Sequence, residues 1–109
     1  MSTRLPGLRY KDVFNRGRSI KGHLFVAWKL ESAHADRMAG VVVSKKTFHD
    51  AVDRNRAKRI LREAFRLLVK EDEVPPNTEW IFIARRSICG KNTRDVMGEM
   101  RWCLRRLFS

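Results

Sequence analysis

Residues 38–85 read MAGVVVSKKTFHDAVDRNRAKRILREAFRLLVKEDEVPPNTEWIFIAR, and the change of hydrophobic period along them decides the fold. Met38 to Ser44 reads as a strand, because Val41, Val42 and Val43 form an unbroken β-branched run of the kind found where both faces of a sheet are covered. Beyond it the period lengthens. Ala57, Ile60, Leu61, Ala64, Phe65, Leu67 and Leu68 recur close to the helical repeat, so a long amphipathic helix is expected to run to about Lys70, capped by His49 or Asp50. Pro75-Pro76 ends the connection, and Glu79 to Arg85, with Trp80, Ile81, Phe82 and Ile83 at its centre, reads as another strand. A strand–helix–strand unit of this length suits a crossover between parallel strands. The general rule for such crossovers favours a right-handed one.

Upstream of this unit, Leu8 to Arg16 reads as a short helix that ends at Gly17, with Tyr10 and Phe14 spaced i,i+4 on one face. Ser19 to Gly22 suits a short edge strand. Leu24, Val26, Trp28 and Leu30 alternate with Phe25, Ala27 and Lys29, which predicts a strand whose inner face is the first set and whose second face is mixed. Downstream, Asn92 caps a last helix with Asp95 in its first turn, and Val96, Met100, Cys103, Leu104 and Leu107 form its buried stripe. The element order is α-β-β-β-α-β-α. That order predicts an α+β fold, an α/β sandwich with helices packed on one sheet, in a single domain over residues 1–109.

Charge narrows the function. Lys and Arg number 24 against 12 acids in 109 residues, a formal net charge of +12, while 43% hydrophobic content suffices for one core. Such an excess favours a polyanionic partner. No stretch is long and apolar enough to span a bilayer, and Met1 to Tyr10 lack a signal-peptide core, so a cytoplasmic location is expected. Cys89 and Cys103 form no CxxC pair and read as small buried hydrophobes. His23, His34 and His49 are scattered, the acids show no paired spacing of a two-metal nuclease, and the six glycines form no phosphate loop. No catalytic side chain and no protein-held metal is predicted.

The cations gather on the long helix. At about 100° per residue, Arg54, Lys58 and Arg62 share one strip, Asn55, Arg59 and Arg66 lie beside it, and the apolar residues fill the opposite arc. Arg56, two residues on from Arg54, points about 200° away, toward a second strand or turn of a folded polyanion or toward Glu63. A solvated helix face normally mixes acids with bases, whereas here Glu63 is the one acid between Arg54 and Arg66. Arginine's planar fork suits bidentate phosphate contacts and stacking on bases. The pattern therefore points to nucleic acid. A DNA-reading helix–turn–helix lacks its preceding short helix, and a membrane-surface helix fails because the apolar stripe is needed for the core.

Arg54-Asn55-Arg56 followed by Ala57-Lys58-Arg59-Ile60-Leu61-Arg62-Glu63-Ala64-Phe65-Arg66 resembles the signature helix of the bacterial ribonuclease P protein component. Gly40-Val41-Val42-Val43-Ser44-Lys45-Lys46 resembles the strand leading into it. Tyr10-Lys11-Asp12-Val13-Phe14-Asn15-Arg16-Gly17 resembles the family's first helix, and Trp80-Ile81-Phe82-Ile83-Ala84-Arg85 its last strand. The resemblance covers nearly the whole chain. It implies one mixed sheet with a left-handed parallel β-α-β crossover, against the general rule. It further implies a subunit that binds the catalytic ribonuclease P RNA through Arg54, Asn55, Arg56, Lys58, Arg59, Arg62 and Arg66. The same resemblance implies that precursor tRNA is bound by its single-stranded 5′ leader in a cleft between the first helix and the sheet, with Mg²⁺ and the hydrolysis belonging to the RNA.

Aromatic rings beside cations are what a single strand needs. Tyr10, Phe14 and Trp28, with Ser44, Lys45 and Lys46 at the end, are the expected leader-binding set, and Phe48 either adds to it or staples the helix start. Arg94, Arg101 and Arg105 form a second row, expected to be solvated or accessory. Arg85, Arg86 and Lys91 surround the loop after the last strand. No membrane and no obligate protein partner is expected. The competing reading is a structural RNA-binding protein of ribosomal type, which would share the charge and fold but not require the Arg54-Asn55-Arg56 run together with a separate aromatic groove.

Overall fold

The computed structural model describes residues 3–33 and 36–107; residues 34 and 35 of the Ser32–Arg37 break, and His34 with them, lie outside the described residues. A 3-10 turn at Gly7–Arg9 leads into α1, Tyr10–Arg16. Then come β1 at Arg18–Lys21, β2 at Phe25–Glu31, β3 at Arg37–Val42, α2 at Ala51–Lys70, β4 at Thr78–Ala84 and α3 at Thr93–Leu107, in the expected order. The four strands form one mixed sheet ordered β1-β2-β4-β3. β1 pairs with β2 and β2 with β4 antiparallel, while β3 and β4 pair in parallel across the α2 crossover.

Both faces of this sheet are covered. α2 and α3 pack together on one side over Phe25, Ala27, Ala39, Val41, Trp80 and Phe82. On the other side α1 lies over Trp28, Leu30, Ile81 and Ile83, with Val13 and Leu5 buried beneath it. This reverses the expectation for β2. Phe25, Ala27 and Lys29 face the main core, and Val26, Trp28 and Leu30 are the half-buried set. With helices on both sides, an apolar parity no longer marks the interior. Lys29 is 4% exposed because its ammonium reaches the Leu107 carbonyl at 3.4 Å, at the negative end of α3, and Glu31 at 3.2 Å.

Local chemistry sets the ends. Asp50 occupies the N-cap of α2, although its side chain makes no capping bond. The C-terminus closes with Glu73 N–H donating to the Leu68 carbonyl and Asp72 N–H to that of Val69, the paired Schellman bonds, with Asp72 at φ 58°. α3 begins as expected: Asp95 N–H donates to Asn92 Oδ1 at 2.9 Å, and Asn92 N–H donates back to Asp95 Oδ2 at 3.1 Å. β3 is an edge strand, and residues 3–5 shield it through Leu5 N–H to Ala39 O (3.0 Å) and Ala39 N–H to Thr3 O (2.7 Å).

Candidate nucleic-acid interface

α2 buries Ala57, Ile60, Leu61, Ala64, Phe65 and Leu68 against the sheet and α3. The helical repeat then forces the residues between them outward. Asn55, Lys58, Arg59, Arg62 and Arg66 wall one side of a cleft of about 600 Å³, and Arg4 of the strand-shielding segment lies on its other side. Five cations and an amide thus share one concave surface. Glu63, the acid at its rim, accepts from Arg66 Nη2 at 2.9 Å, so the arginine pairing foreseen for Arg56 does not occur.

Arg54 and Arg56 lie elsewhere. Arg54 Nη1 donates to the carbonyls of Phe48 and His49 at 2.9 and 3.0 Å, which fastens the connector before α2 to the helix. Arg56 Nη2 donates to the Lys91 carbonyl at 2.7 Å and so ties α2 to the loop before α3. Arg86 Nη1 holds the Thr47 carbonyl at 2.9 Å from the other side. Side chain–backbone bonds of this kind are set by tertiary approach, which helix periodicity cannot reveal.

On the α1 side, Tyr10, Phe14 and Trp28 come together as expected. Phe14 meets Trp28 edge-on at 5.3 Å, and the Tyr10 ring lies over Gly40, where any Cβ would collide with it. α1 has only seven residues, too few to roof a four-stranded sheet. Val26, Ile83 and Val42, which are register partners across β2, β4 and β3, therefore remain half-buried. They extend the aromatic cluster as an open apolar strip toward Ser44, Lys45 and Lys46, all exposed. These three aliphatic residues were missed in the sequence, although the parity of β4 carries them once Ile81 is known to face α1. Phe48 is not part of the strip: it is 1% exposed and buried in the main core, where it anchors the chain just before α2.

A buried ion pair anchors this side. Glu79 is 1% exposed and accepts two bonds from Arg9, from Nε and Nη2, each at 2.8 Å. Arg9 also holds Asp12 at 2.7 Å. The Glu79 hydrogen bond, foremost, raises the proton affinity of the Arg9 guanidinium further. Of the second cationic row, Arg101 is tied to Glu73 and Glu71 at 3.0 and 3.1 Å, while Arg94 and Arg105 are exposed. Burial pushes the Cys103 thiol up to about 12, with Glu99 adding to it, so that sulfur is not a nucleophile near neutrality. Cys89, expected to be buried, is exposed instead. Among the described residues no three His, Cys, Asp or Glu side chains converge as a metal site, and no helix is long and apolar enough to cross a membrane.

Comparison with known proteins shows the family and the fold. The family described as Ribonuclease P matches residues 7–108. The ribonuclease P protein component of Exiguobacterium sp. is 35% identical over 97 residues, covering 89% of this chain and 82% of that protein. That of Listeria welshimeri is 36% identical over 88 residues, covering 80% and 71%. Among solved structures, the RNase P protein of Staphylococcus aureus superposes with a TM-score of 0.78 at 25% identity over 98% of this chain and 96% of that one. The RNase P protein of Thermotoga maritima shares the fold, with a TM-score of 0.79 at 24% identity over 96% and 97%.

Proposed function

Because this chain belongs to the ribonuclease P protein family, and so is the protein subunit of an endoribonuclease that works with ribonuclease P RNA in tRNA processing, we propose that it acts by holding two RNAs at two separate surfaces. The α2 cleft docks on the catalytic RNA. Lys58, Arg59, Arg62 and Arg66 neutralise phosphates there, and Asn55 supplies an amide for a base edge or sugar. Arg54 and Arg56 contribute by holding the flanking loops in register as well as by charge. The strip under α1 takes the single-stranded 5′ leader of precursor tRNA: Tyr10, Phe14 and Trp28 offer ring faces, Val26, Ile83 and Val42 an apolar floor, and Ser44, Lys45 and Lys46 the phosphate contacts at its end.

The chemistry belongs to the RNA. In this reading Mg²⁺ belongs to the RNA, where it would supply an activated water and charge stabilisation. This chain binds and orients; it contributes no catalytic side chain. The observation that carries the reading is the one-signed cleft of Asn55, Lys58, Arg59, Arg62 and Arg66, whose lone acid, Glu63, is engaged by Arg66. Family membership sets aside the ribosomal-type alternative.

One reconstitution with ribonuclease P RNA tests both surfaces. Arg62→Ala is expected to weaken binding of the catalytic RNA by about tenfold with an unchanged thermal midpoint, the value of one charge-assisted phosphate contact. Phe14→Ala is expected to spare that affinity and to reduce binding of leader-bearing precursor by about tenfold while leaving mature tRNA unaffected. An unchanged titration for Arg62→Ala rejects the cleft; equal losses on both tRNAs for Phe14→Ala reject the groove.

A further inference from the structure

A second depression, of about 510 Å³, lies against β1, with Lys21, His23, Arg85 and Trp102 in its lining. The strand order sets β1 and β3 at opposite edges of the sheet. α3 packs toward β1 and α2 toward β3, so this depression is at the far edge from the α2 cleft. Its size falls within the range of about 300–1,000 Å³ typical of ligand sites.

The residues there follow from how α3 is built. Val96, Met100, Cys103 and Leu107 form its buried stripe. Trp102 falls beside that stripe and is only half-buried, and the Arg106 guanidinium, one turn on, stands 5.0 Å from its ring centroid. Arg85 is held at the rim by donating to the Gly22 carbonyl at 2.8 Å. Glu99, the acid of the lining, accepts the backbone N–H groups of His23, Leu24 and Phe25 at 2.9, 2.8 and 3.2 Å. Three amide dipoles offset its charge, and the depression keeps a cationic character.

A half-exposed indole and the cations Lys21 and Arg85 line one concavity, and the Arg106 guanidinium stands over the ring; together they provide a stacking surface and phosphate contacts. A purely solvated face would need neither the ring nor the concavity. We propose that this depression is a third, separate RNA site, which takes an unpaired nucleotide of a single strand. The base stacks at Trp102 beside Arg106, and the adjoining phosphates meet Lys21 and Arg85. Because the α2 cleft is at the other edge, the strand held here is a different RNA segment, and the protein bridges the two. The inference stands on the β1 edge alone and does not depend on the leader groove.

The test uses the full chain and decaadenylate, with inorganic polyphosphate as an anion lacking bases. In a ¹H–¹⁵N spectrum each of the three Trp residues has its own indole resonance. The Trp102 indole and the Lys21 and His23 amides are expected to shift with decaadenylate, and the indole to stay in place with polyphosphate. Trp102→Leu is expected to weaken the response at Lys21 and His23 by about tenfold, the value of one stacked base. Should Trp102→Leu fail to fold, Lys21→Glu, an exposed substitution, is expected to weaken the Trp102 response by several-fold. A Trp102 indole that stays still while the α1 and α2 amides move overturns the site, and so does an equal indole shift with polyphosphate.

Discussion

At the residue scale, the pair Arg9–Glu79 has the largest consequence for stability. Glu79 is the charged residue of β4, and its carboxylate has been taken out of water at a sequence distance of 70 residues from its partner. Attraction inside the protein offsets that desolvation only while both members are present. Arg9→Ala is expected to lower the urea midpoint of unfolding, because it leaves the Glu79 carboxylate buried without its partner. An unchanged midpoint would mean that water reaches the carboxylate in the variant. Gly40 makes a related point. It is needed because the Tyr10 ring rests on it, so the first helix dictates a residue in the third strand.

At the scale of elements, the connector between β3 and α2 is the piece that joins the two proposed RNA surfaces. Ser44, Lys45 and Lys46 project from it, while its Thr47, Phe48 and His49 carbonyls are held by Arg86 and Arg54. Phe48 pins it to the core, and its N–H donates to the Ser44 carbonyl at 3.0 Å. Arg86→Ala removes one of the two guanidinium tethers. Hydrogen exchange at the Thr47 and Phe48 amides is expected to quicken by about fivefold, or about 1 kcal/mol of local opening, with α2 amides unchanged. Protection unchanged in the variant would show that Arg54 and Phe48 suffice to order the segment. Arginine 54 thus has a use inside the fold that its place in a cationic helix face did not suggest.

At the scale of the molecule, the fold sorts charge. From Glu63 onward the acids are engaged internally: Glu63 by Arg66, Glu71 and Glu73 by Arg101, Asp72 by Arg37, Glu79 by Arg9, Asp95 by the Asn92 amide and Glu99 by the β1–β2 turn. The excess of +12 is left to face outward. Binding of the catalytic RNA through about six phosphates is expected to weaken by about a thousandfold between 50 and 200 mM salt, as condensed counterions are released. A filter-binding series over that range measures it, and a flat response would place the affinity in non-ionic contacts.

Periodicity along the chain was enough to determine the element order, the parallel unit of β3, α2 and β4, the cap at Asn92 and the cationic face of α2. Each depends on residues close in sequence, so local geometry carries it. The inward face of β2, the burial of Lys29 and Glu79, the tethering roles of Arg54, Arg56 and Arg86, and the Trp102 depression were decided only by tertiary structure. Alternation separates the two faces of a strand but does not say which of them a larger layer will cover. The carbonyl partners of Arg56 and Arg86, likewise, are brought within 3 Å by packing from 35 and 39 residues away, and nothing in the neighbouring sequence encodes that approach.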